Sequence, residues 1–478
     1  MLKHAIIKPS YIDAKKRTNN KIKILTDAYI MNNDLQKLGI GKKYMIITYG
    51  CQANERDSET ISAILEDMSF IKTDDFNDAD LILLNTCAIR ENAHNKVFGM
   101  LGRIKHLKQD KPNIITCLCG CMAQEESVVN EIEEKYKWMD VVFGTHNIHN
   151  LPKLISEAID DKELVIEVFS KEGDIVENLP VKRDNKYKAY VNIMYGCDKF
   201  CTYCIVPYTR GKQRSRRIED IKDEVQKLID NGYKEVTLLG QNVNAYGKDL
   251  ENGETFDKLL SEIANMKIER IRFVTSHPWD FTDEMIKIIK DYPNVMPYIH
   301  LPVQSGSDKI LKLMGRRYTK ESYLNLVEKI RKNIPNASLT TDIIVGFPNE
   351  TEEDFKETLD VVTKCKYDSA FTFIYSKREN TPAAKMEDSI PFNVKQERLQ
   401  RLNQIVNKYA LINNEKLVNK VVPVLIEGPS QKGEGLYAGY TDTMKLVNVK
   451  CDEKDIGKII NVKITEAKTW SLNGTKTN

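Results

Sequence analysis

The sequence predicts an α/β chain in three parts. These are an N-terminal open α/β domain, a central partial TIM-like barrel of about six βα units, and a small C-terminal β-barrel. Three observations carry this expectation. Short apolar runs alternate with helical patterns over residues 42–160 and again over 187–390. Cysteines and small polar residues collect just after the predicted strands, where parallel sheets gather their ligands. About the last 60 residues change to short strands separated by Gly and Asp turns.

In chain order, residues 1–41 are polar and rich in Lys and Asn, an extension with one short helix at Ile22–Leu38. Residues 42–160 form the first domain. Tyr44–Thr48, Leu81–Asn85, Ile114–Cys119 and Val141–Phe143 are dense in β-branched and aliphatic residues and read as strands. Asn54–Asp67, Glu91–Leu107 and Gln124–Lys135 carry helical spacing between them. Residues 161–185 hold few signals, end in Asn178-Leu179-Pro180, and read as a connector.

Residues 186–415 form the barrel domain. Its strands are expected at Ala189–Met194, Val236–Leu239, Ile271–Thr275, Val295–His300, Leu339–Val345 and Ala370–Tyr375. Helices between them include Ile218–Asp230, Asp283–Lys290, Lys320–Lys332 and Glu352–Lys364, and a long amphipathic helix covers Asn393–Asn419. Residues 416–478 form the β-barrel, with strands at Val421–Ile426, Leu436–Gly439, Lys445–Val449 and Ile459–Ile464. A five-stranded barrel of OB-like kind fits them.

Composition narrows the function classes. The 478 residues carry 71 Lys+Arg against 69 Asp+Glu, a net charge of +2, which excludes an overall polycation but not local basic patches. No run of about 18 apolar residues predicts a membrane span. The start, Met1-Leu2-Lys3-His4, leads into a Lys-rich stretch without the apolar core of a signal peptide, so a cytoplasmic protein is expected. Ten cysteines stand out, eight of them between Cys51 and Cys204. A cytosolic chain of this size needs no disulfides, so clustered cysteines point to metal or redox chemistry.

The strongest motif is Cys197-x3-Cys201-x2-Cys204. Three thiolates on one tight loop can hold three irons of a [4Fe–4S] cluster, leaving the fourth iron open for a cofactor or substrate. A ferredoxin closes that position with a fourth cysteine, and a structural zinc also wants four ligands. The alternatives are a zinc loop completed by a distant residue, or plain buried cysteines. Cys51, Cys87 and Cys121 each follow a predicted strand and form a second possible set of three. The alternative there is small buried residues at strand ends. Cys117 and Cys119 share one face of an extended strand, whereas Cys121 lies beyond Gly120 on the loop. Cys365 and Cys451 read as structural.

Thr209–Arg217 (TRGKQRSRR) is either a phosphate-binding segment or a solvated basic loop paired with Glu219 and Asp220. Lys432, Tyr437, Tyr440 and Lys445 make a thin stacking-plus-charge pattern in the C-terminal barrel, beside the alternative of a purely structural module. His277 and His300 stand at strand ends, where a lone His is more often structural than catalytic. No G-x-G-x-x-G follows a strand.

CDKFCTYCIVPYTRG, with Tyr203 before its last cysteine, resembles the radical S-adenosylmethionine enzymes. LLGQNVNAYG, RIRFVTSHPWDFTDEM, LPVQSGSDKILKLMGRRYT, LTTDIIVGFPNETEEDF and FTFIYSKRENTPAAKM, with ITYGCQAN, LNTCAIRENA and GCMAQ upstream, resemble the methylthiotransferases within them. The resemblance runs from about Lys43 to about residue 470. It implies two [4Fe–4S] clusters, the radical cluster on Cys197, Cys201 and Cys204 and an auxiliary cluster on Cys51, Cys87 and Cys121. S-adenosylmethionine would take the open iron of the first and yield a 5′-deoxyadenosyl radical. The auxiliary cluster would carry the sulfur, methylated by a second S-adenosylmethionine, for insertion at C2 of an isopentenylated adenosine beside a tRNA anticodon.

The candidates for holding the cofactor are Tyr203, Gln241, Ser276 and Asp342. No single acid or base is assigned. The C-terminal module resembles a TRAM domain that grips the tRNA, although Tyr440-Thr441-Asp442-Thr443-Met444 stands where the family has an Asn/Lys-rich turn. Expected partners are the tRNA anticodon stem-loop and a reductant protein, with no membrane and a monomeric state. Competing targets are threonylcarbamoyladenosine in tRNA and a ribosomal-protein aspartate. An iron–sulfur or zinc RNA-binding regulator without turnover is the reading from another class.

Overall fold

In the computed structural model the described residues are 6–16, 22–88, 91–171 and 173–477. The expectations for residues 1–5 and 17–21, and for Ile89-Arg90 within LNTCAIRENA, lie outside them. The chain divides into two compact units. One holds residues 1–184, 194–200 and 204–216, and the other holds residues 185–193, 201–203 and 217–478.

The first unit is built on a six-stranded parallel sheet. Its strands run in the order Ile71–Lys72, Lys43–Thr48, Leu81–Thr86, Ile115–Gly120, Val141–Phe143, Val165–Glu167. Leu81–Thr86 and Ile115–Gly120 are buried along their whole length, as a sheet covered on both faces requires. On one face Tyr44, Leu83, Cys117 and Cys119 pack against Ile61, Ile64 and Leu65 of helix Gln52–Asp67 and Leu154 and Ile155 of helix Leu151–Asp161. On the other, Ile82, Leu84 and Leu118 meet Val97, Leu101 and Ile104 of helix Glu91–Asp110 and Val129 and Ile132 of helix Glu126–Lys135. Each such side chain contributes roughly 1.5–3 kcal/mol on full burial.

Two expectations fail here. The stretch read as a connector supplies the edge strand Val165–Glu167 and the short strand Ile175–Val176. The latter pairs in parallel with Ile24–Leu25, so the helix expected over 22–38 begins only after Asn32. The Asn32 side chain caps it, accepting from Asp34 N at 3.1 Å and Leu35 N at 2.9 Å. The stretches lack apolar alternation because each strand is only two or three residues long.

The second unit carries the six expected barrel strands. They form two parallel arcs, Arg270–Phe273, Glu235–Leu239, Lys188–Asn192 and Tyr298–His300, Ser338–Val345, Ser369–Ile374. An Ile271–Val295 bridge and the Met296 N to Ile271 O bond at 2.9 Å join the arcs. Helices Ile218–Asp230, Phe256–Ala264, Asp283–Asp291, Lys320–Asn333, Glu352–Cys365 and Phe392–Glu415 cover the outside, several opened by a Thr cap such as Thr319 or Thr351.

The last strands close a five-stranded barrel in the order Val421–Pro429, Tyr437–Thr441, Leu446–Lys450, Leu472–Lys476, Ile459–Ala467. Val424, Ile426, Val447, Val449, Val462, Ile464 and Leu472 alternate inward to fill it. The strand Leu472–Lys476, absent from the expected four, closes the ring. No helix among the described residues is long and apolar enough to cross a membrane.

Candidate metal centre and cofactor site

Cys51, Cys87 and Cys121 follow the strands Lys43–Thr48, Leu81–Thr86 and Ile115–Gly120. These strands are parallel neighbours, so the three residues share one sheet edge. Helix Gln52–Asp67 starts at once and turns Asn54 back over that edge. Asn54 is fully buried, and its Nδ2 donates to Tyr49 O at 2.9 Å and Thr86 O at 2.7 Å. Its Oδ1 then lies 4.0 Å from Cys51 Sγ and 3.9 Å from Cys121 Sγ. Gly50 admits the third cysteine. It sits at φ 126°, and a Cβ there would stand 2.8 Å from Cys87 Cβ and 3.2 Å from Cys87 Sγ. Three sulfurs therefore surround one turn. Cys117 and Cys119 instead face the apolar core beside Tyr44 and Leu83.

Burial pushes the Cys121 thiol up to about 11, against the pull of the Arg210 guanidinium. Burial raises Cys117 and Cys119 as well. No disulfide joins the ten cysteines. Among the described residues, no three His, Cys, Asp or Glu side chains close round a single metal ion. Three sulfurs spread about a buried amide fit a cluster of several irons better than the closed tetrahedral shell of one zinc.

The CxxxCxxC loop opens at Gly196. Its φ is 71°, and a Cβ there would stand 2.1 Å from Lys212 O, so any side chain is excluded. Cys197 N donates to Gly211 O at 3.1 Å, and Lys199 N lies 3.4 Å from Cys197 Sγ. In the second unit, Cys201 Sγ receives Nη1 of Arg316 at 3.3 Å. Arg316 is fixed by Pro302 O at 3.0 Å and Tyr318 Oη at 3.0 Å. Thr202 is tied to Met314 O at 3.0 Å through its N–H and to Leu313 O at 2.8 Å through its hydroxyl. Tyr203 lies edge-on to Phe347, ring centroids 6.5 Å apart. Cys204 is half-buried.

Gln241 and Ser276 stand beyond the ends of the adjacent strands Glu235–Leu239 and Arg270–Phe273. Gln241 Oε1, Asn242 Oδ1 and Ser276 Oγ are buried without a hydrogen-bond partner among the described residues. Buried polar atoms are rarely left so, and these suit the polar groups of a bound cofactor. Thr275, next to Ser276, holds left-handed backbone (φ 67°), as does Gln304 (φ 68°) after the strand Tyr298–His300, a conformation that concentrates at ligand sites. Asp342 lies within the fifth barrel strand, Ser338–Val345, with Oδ2 3.4 Å from His300 Nε2. His277 serves a turn, its Nδ1 accepting from Trp279 N at 3.3 Å.

The basic segment is neither a phosphate grip nor a solvated loop. Arg210, Arg214 and Arg216 are buried. Arg216 forms a two-pronged pair with Glu177, both contacts 2.7 Å, and Arg214 donates to Gly173 O at 2.9 Å. Arg217 alone takes the expected partner, Asp220, at 2.6 Å. The C-terminal pattern is thinner still than expected. Lys445 pairs with Asp368 at 2.7 Å, and Lys188 lies over the Tyr440 ring at 5.2 Å. Arg270 and Arg272 grip the carbonyls of Tyr440, Thr441 and Asp442, so the unusual turn docks on the barrel.

Sequence reasoning missed Asn54, Arg210 and Arg316. Asn54 had a usable signal, an amide three residues after Cys51 at a helix start. Arg210 and Arg316 sit in basic runs that mark charge but not its destination.

Three family models match in order: an uncharacterized protein family, UPF0004, over residues 43–144, the Radical SAM superfamily over 191–362, and the TRAM domain over 415–477. The chain is 56% identical over 468 residues to a tRNA-2-methylthio-N(6)-dimethylallyladenosine synthase of Staphylococcus epidermidis, covering 98% of this chain and 91% of the relative. It is 57% identical over 469 residues to the protein of that name from Bacillus licheniformis, with 98% and 92% covered. Among solved structures it is similar to a radical S-adenosylmethionine methyltransferase, TsrM, from Kitasatospora setae. That match has a TM-score of 0.51 at 14% identity, covering 72% of this chain and 75% of the other, and speaks to the fold alone.

Proposed function

Since this chain belongs to the tRNA-2-methylthio-N6-dimethylallyladenosine synthases, we propose that it methylthiolates C2 of N6-isopentenyladenosine beside the anticodon of tRNA. The observation that carries the reading is identity of 56–57% spread over 98% of the chain, through all three family matches. The enzyme is a radical S-adenosylmethionine methylthiotransferase that uses an iron–sulfur cluster and S-adenosylmethionine.

At residue level, Cys197, Cys201 and Cys204 hold one [4Fe–4S] cluster and Cys51, Cys87 and Cys121 hold a second. When bound, these cofactors supply the radical that takes the C2 hydrogen, the sulfur that replaces it and the methyl group. The chain's own side chains position and shield. Asn54 fixes the spacing of the strand-end cysteines. Gln241 and Ser276 offer unmet hydrogen-bonding capacity to S-adenosylmethionine, and Tyr203, within the cysteine loop, packs edge-on against Phe347. Asp342, beside His300, offers a carboxylate acceptor. The C-terminal barrel grips the RNA, with Lys432 and Tyr437 the candidates not taken up by the docked turn. A reductant protein supplies electrons to a monomeric enzyme. The first domain runs past residue 160 to take in the edge strand Val165–Glu167, and the barrel and C-terminal domains run over 186–415 and 416–478.

Nucleoside mass analysis of total tRNA from cells with and without the gene tests the function. Loss of the methylthiolated nucleoside, with the isopentenylated precursor accumulating, is expected. Unchanged levels would redirect the search to threonylcarbamoyladenosine and then to ribosomal protein. For the sites, Cys201→Ala should abolish cofactor cleavage, while Cys121→Ala should leave cleavage and stop sulfur insertion.

A further inference from the structure

Arg210 follows Cys204 by six residues, yet its segment belongs to the first unit. Tyr208 stacks on Tyr11 at 4.7 Å, and Thr209 O accepts the Thr145 hydroxyl at 2.7 Å. This seating carries the guanidinium to the edge where Cys51, Cys87 and Cys121 stand. Nε of Arg210 donates to Cys121 Sγ at 3.2 Å. Its Nη2 donates to Asn54 Oδ1 at 2.9 Å and lies 2.7 Å from Asp57 Oδ2. Asn54 Oδ1 is the atom that two of the sulfurs already surround.

A buried arginine needs an anion, and Asp57 supplies it. An ion pair with Asp57 alone would leave no reason for the fork to reach sulfur. The guanidinium is planar, so the anchors at Asp57 and Asn54 fix where Nε points. It points at the sulfur of one predicted ligand. Hydrogen bonds to cluster sulfurs are among the means by which proteins set iron–sulfur potentials.

We propose that Arg210 is a positioning residue of the auxiliary iron–sulfur site, orienting Cys121 through Nε and setting the potential of the cluster held there. The proposal rests on the reading that Cys51, Cys87 and Cys121 hold a cluster. It makes the auxiliary site a product of two distant stretches. The sheet edge supplies the sulfurs, and the segment after Cys204 supplies the cation.

The test uses the full chain with Cys197, Cys201 and Cys204 replaced by Ala, reconstituted anaerobically with iron and sulfide so that one cluster remains. Iron and sulfide per chain, the electron paramagnetic resonance spectrum and the midpoint potential are measured. Arg210→Gln removes the cation and should lower the midpoint. Arg210→Lys keeps the charge but loses the fork, and should change the spectrum and lower the midpoint less. Asp57→Asn leaves Arg210 less neutralised and should move the midpoint upward.

Opposite shifts from Arg210→Gln and Asp57→Asn support the proposal, because a mere anchor would make the two variants fail alike. Loss of iron from a folded Arg210 variant supports it too. Unchanged spectrum and midpoint in Arg210→Gln and Arg210→Lys overturn it, as do parallel shifts in Arg210→Gln and Asp57→Asn. Should Arg210→Gln not fold, Arg210→Lys and Asp57→Asn decide by the same criterion. A parent chain that binds no iron would refute the cluster reading itself, and the proposal with it.

Discussion

Replacing Arg272 by Met should loosen the C-terminal barrel from the strands it docks on. Arg272 is 2% exposed, with Nη1 donating to Asp442 O at 2.7 Å and Nη2 to Thr441 O at 2.8 Å. Its Nε lies 2.9 Å from Glu235 Oε1, and Glu235 is itself buried. Met keeps the apolar stem and removes every one of these contacts. Breaking a buried ion pair costs roughly 3–5 kcal/mol, because one charge is stranded. Here Arg270 remains 3.8 Å from Glu235 and shares the load, so the lower end, about 3 kcal/mol, applies. About 3 kcal/mol is on the order of a 100-fold change in a local opening equilibrium. Hydrogen exchange of the full chain reads it. Amides of Tyr437–Thr441 and Leu446–Lys450 should exchange about 100-fold faster in Arg272→Met, and those of Ser338–Val345 should not. Adding Glu235→Gln should recover part of the loss by removing the stranded carboxylate. Exchange within about 3-fold of the parent would refute the clamp, since a broken buried pair cannot be that cheap.

Three further outcomes follow from the same geometry. Burial alone would raise the Asp354 carboxyl, but Lys309, Ser307 and the Thr351 N–H overcome it and hold it down to about 2. A depressed carboxyl adds stability that is present above its ordinary value of 3.8 and lost as pH falls through about 2. Asp354→Asn should therefore cost about 2 kcal/mol in denaturation of the apoprotein at pH 7 and little near pH 2; an equal cost at both would count against it. Cys119→Ser should cost about 1–3 kcal/mol by placing a hydroxyl in the apolar core without changing bound iron. Cys121→Ser should lower bound iron by about half, and the reverse pattern would exchange their roles. Phe371 (51% exposed) and Phe373 (42% exposed) lie on the face of Ser369–Ile374 opposite Thr372, which bonds Asn403 of the outer helix. Stacking on a base is worth about 1–3 kcal/mol, so Phe371→Ala or Phe373→Ala should raise KM for the isopentenylated stem-loop about 10-fold with kcat less affected. An unchanged KM would remove this face from the RNA site.

The fold was legible wherever an element buries a long face. The helix Ile218–Asp230 and the strand Val141–Phe143 fall where the spacing placed them, because their apolar period is unbroken. Legibility failed where pairing rather than burial makes the element. Ile71–Lys72 is exposed at both positions, and Ile24–Leu25 and Ile175–Val176 are two residues each. Only a neighbour in space defines them. The strand expected over 189–194 breaks at Ile193 for a related reason. Its N–H bonds Leu239 O at 2.9 Å, while Met194-Tyr195 turns away to pair antiparallel with Arg214-Ser215. The pattern of apolar residues runs straight through that change of partner.

At the site, the gathering of Cys51, Cys87 and Cys121 at one sheet edge was legible because strand ends are local. Their partners were not, because the contacts close over long separations. Arg210 reaches Cys121 across 89 positions and Arg316 reaches Cys201 across 115. The two contacts are nonetheless one solution used twice. In each, a buried guanidinium gives one donor to a cysteine sulfur while fixed protein anchors hold the rest of the fork, Asp57 and Asn54 at Nη2 in one case, Pro302 O and Tyr318 Oη in the other. Charge alone does not explain the choice, since a lysine would bring as much. A lysine ammonium swings on a flexible stem, whereas a planar fork held at its anchors also fixes the direction of the N–H that meets the sulfur. The arginines therefore act on where the sulfurs stand as much as on their charge. On this argument Arg316→Lys should disturb the cluster proposed for the Cys197–Cys204 loop much as Arg210→Lys should disturb the one proposed at the sheet edge. A lysine that restored either site's spectrum would show that charge was sufficient and the fork incidental.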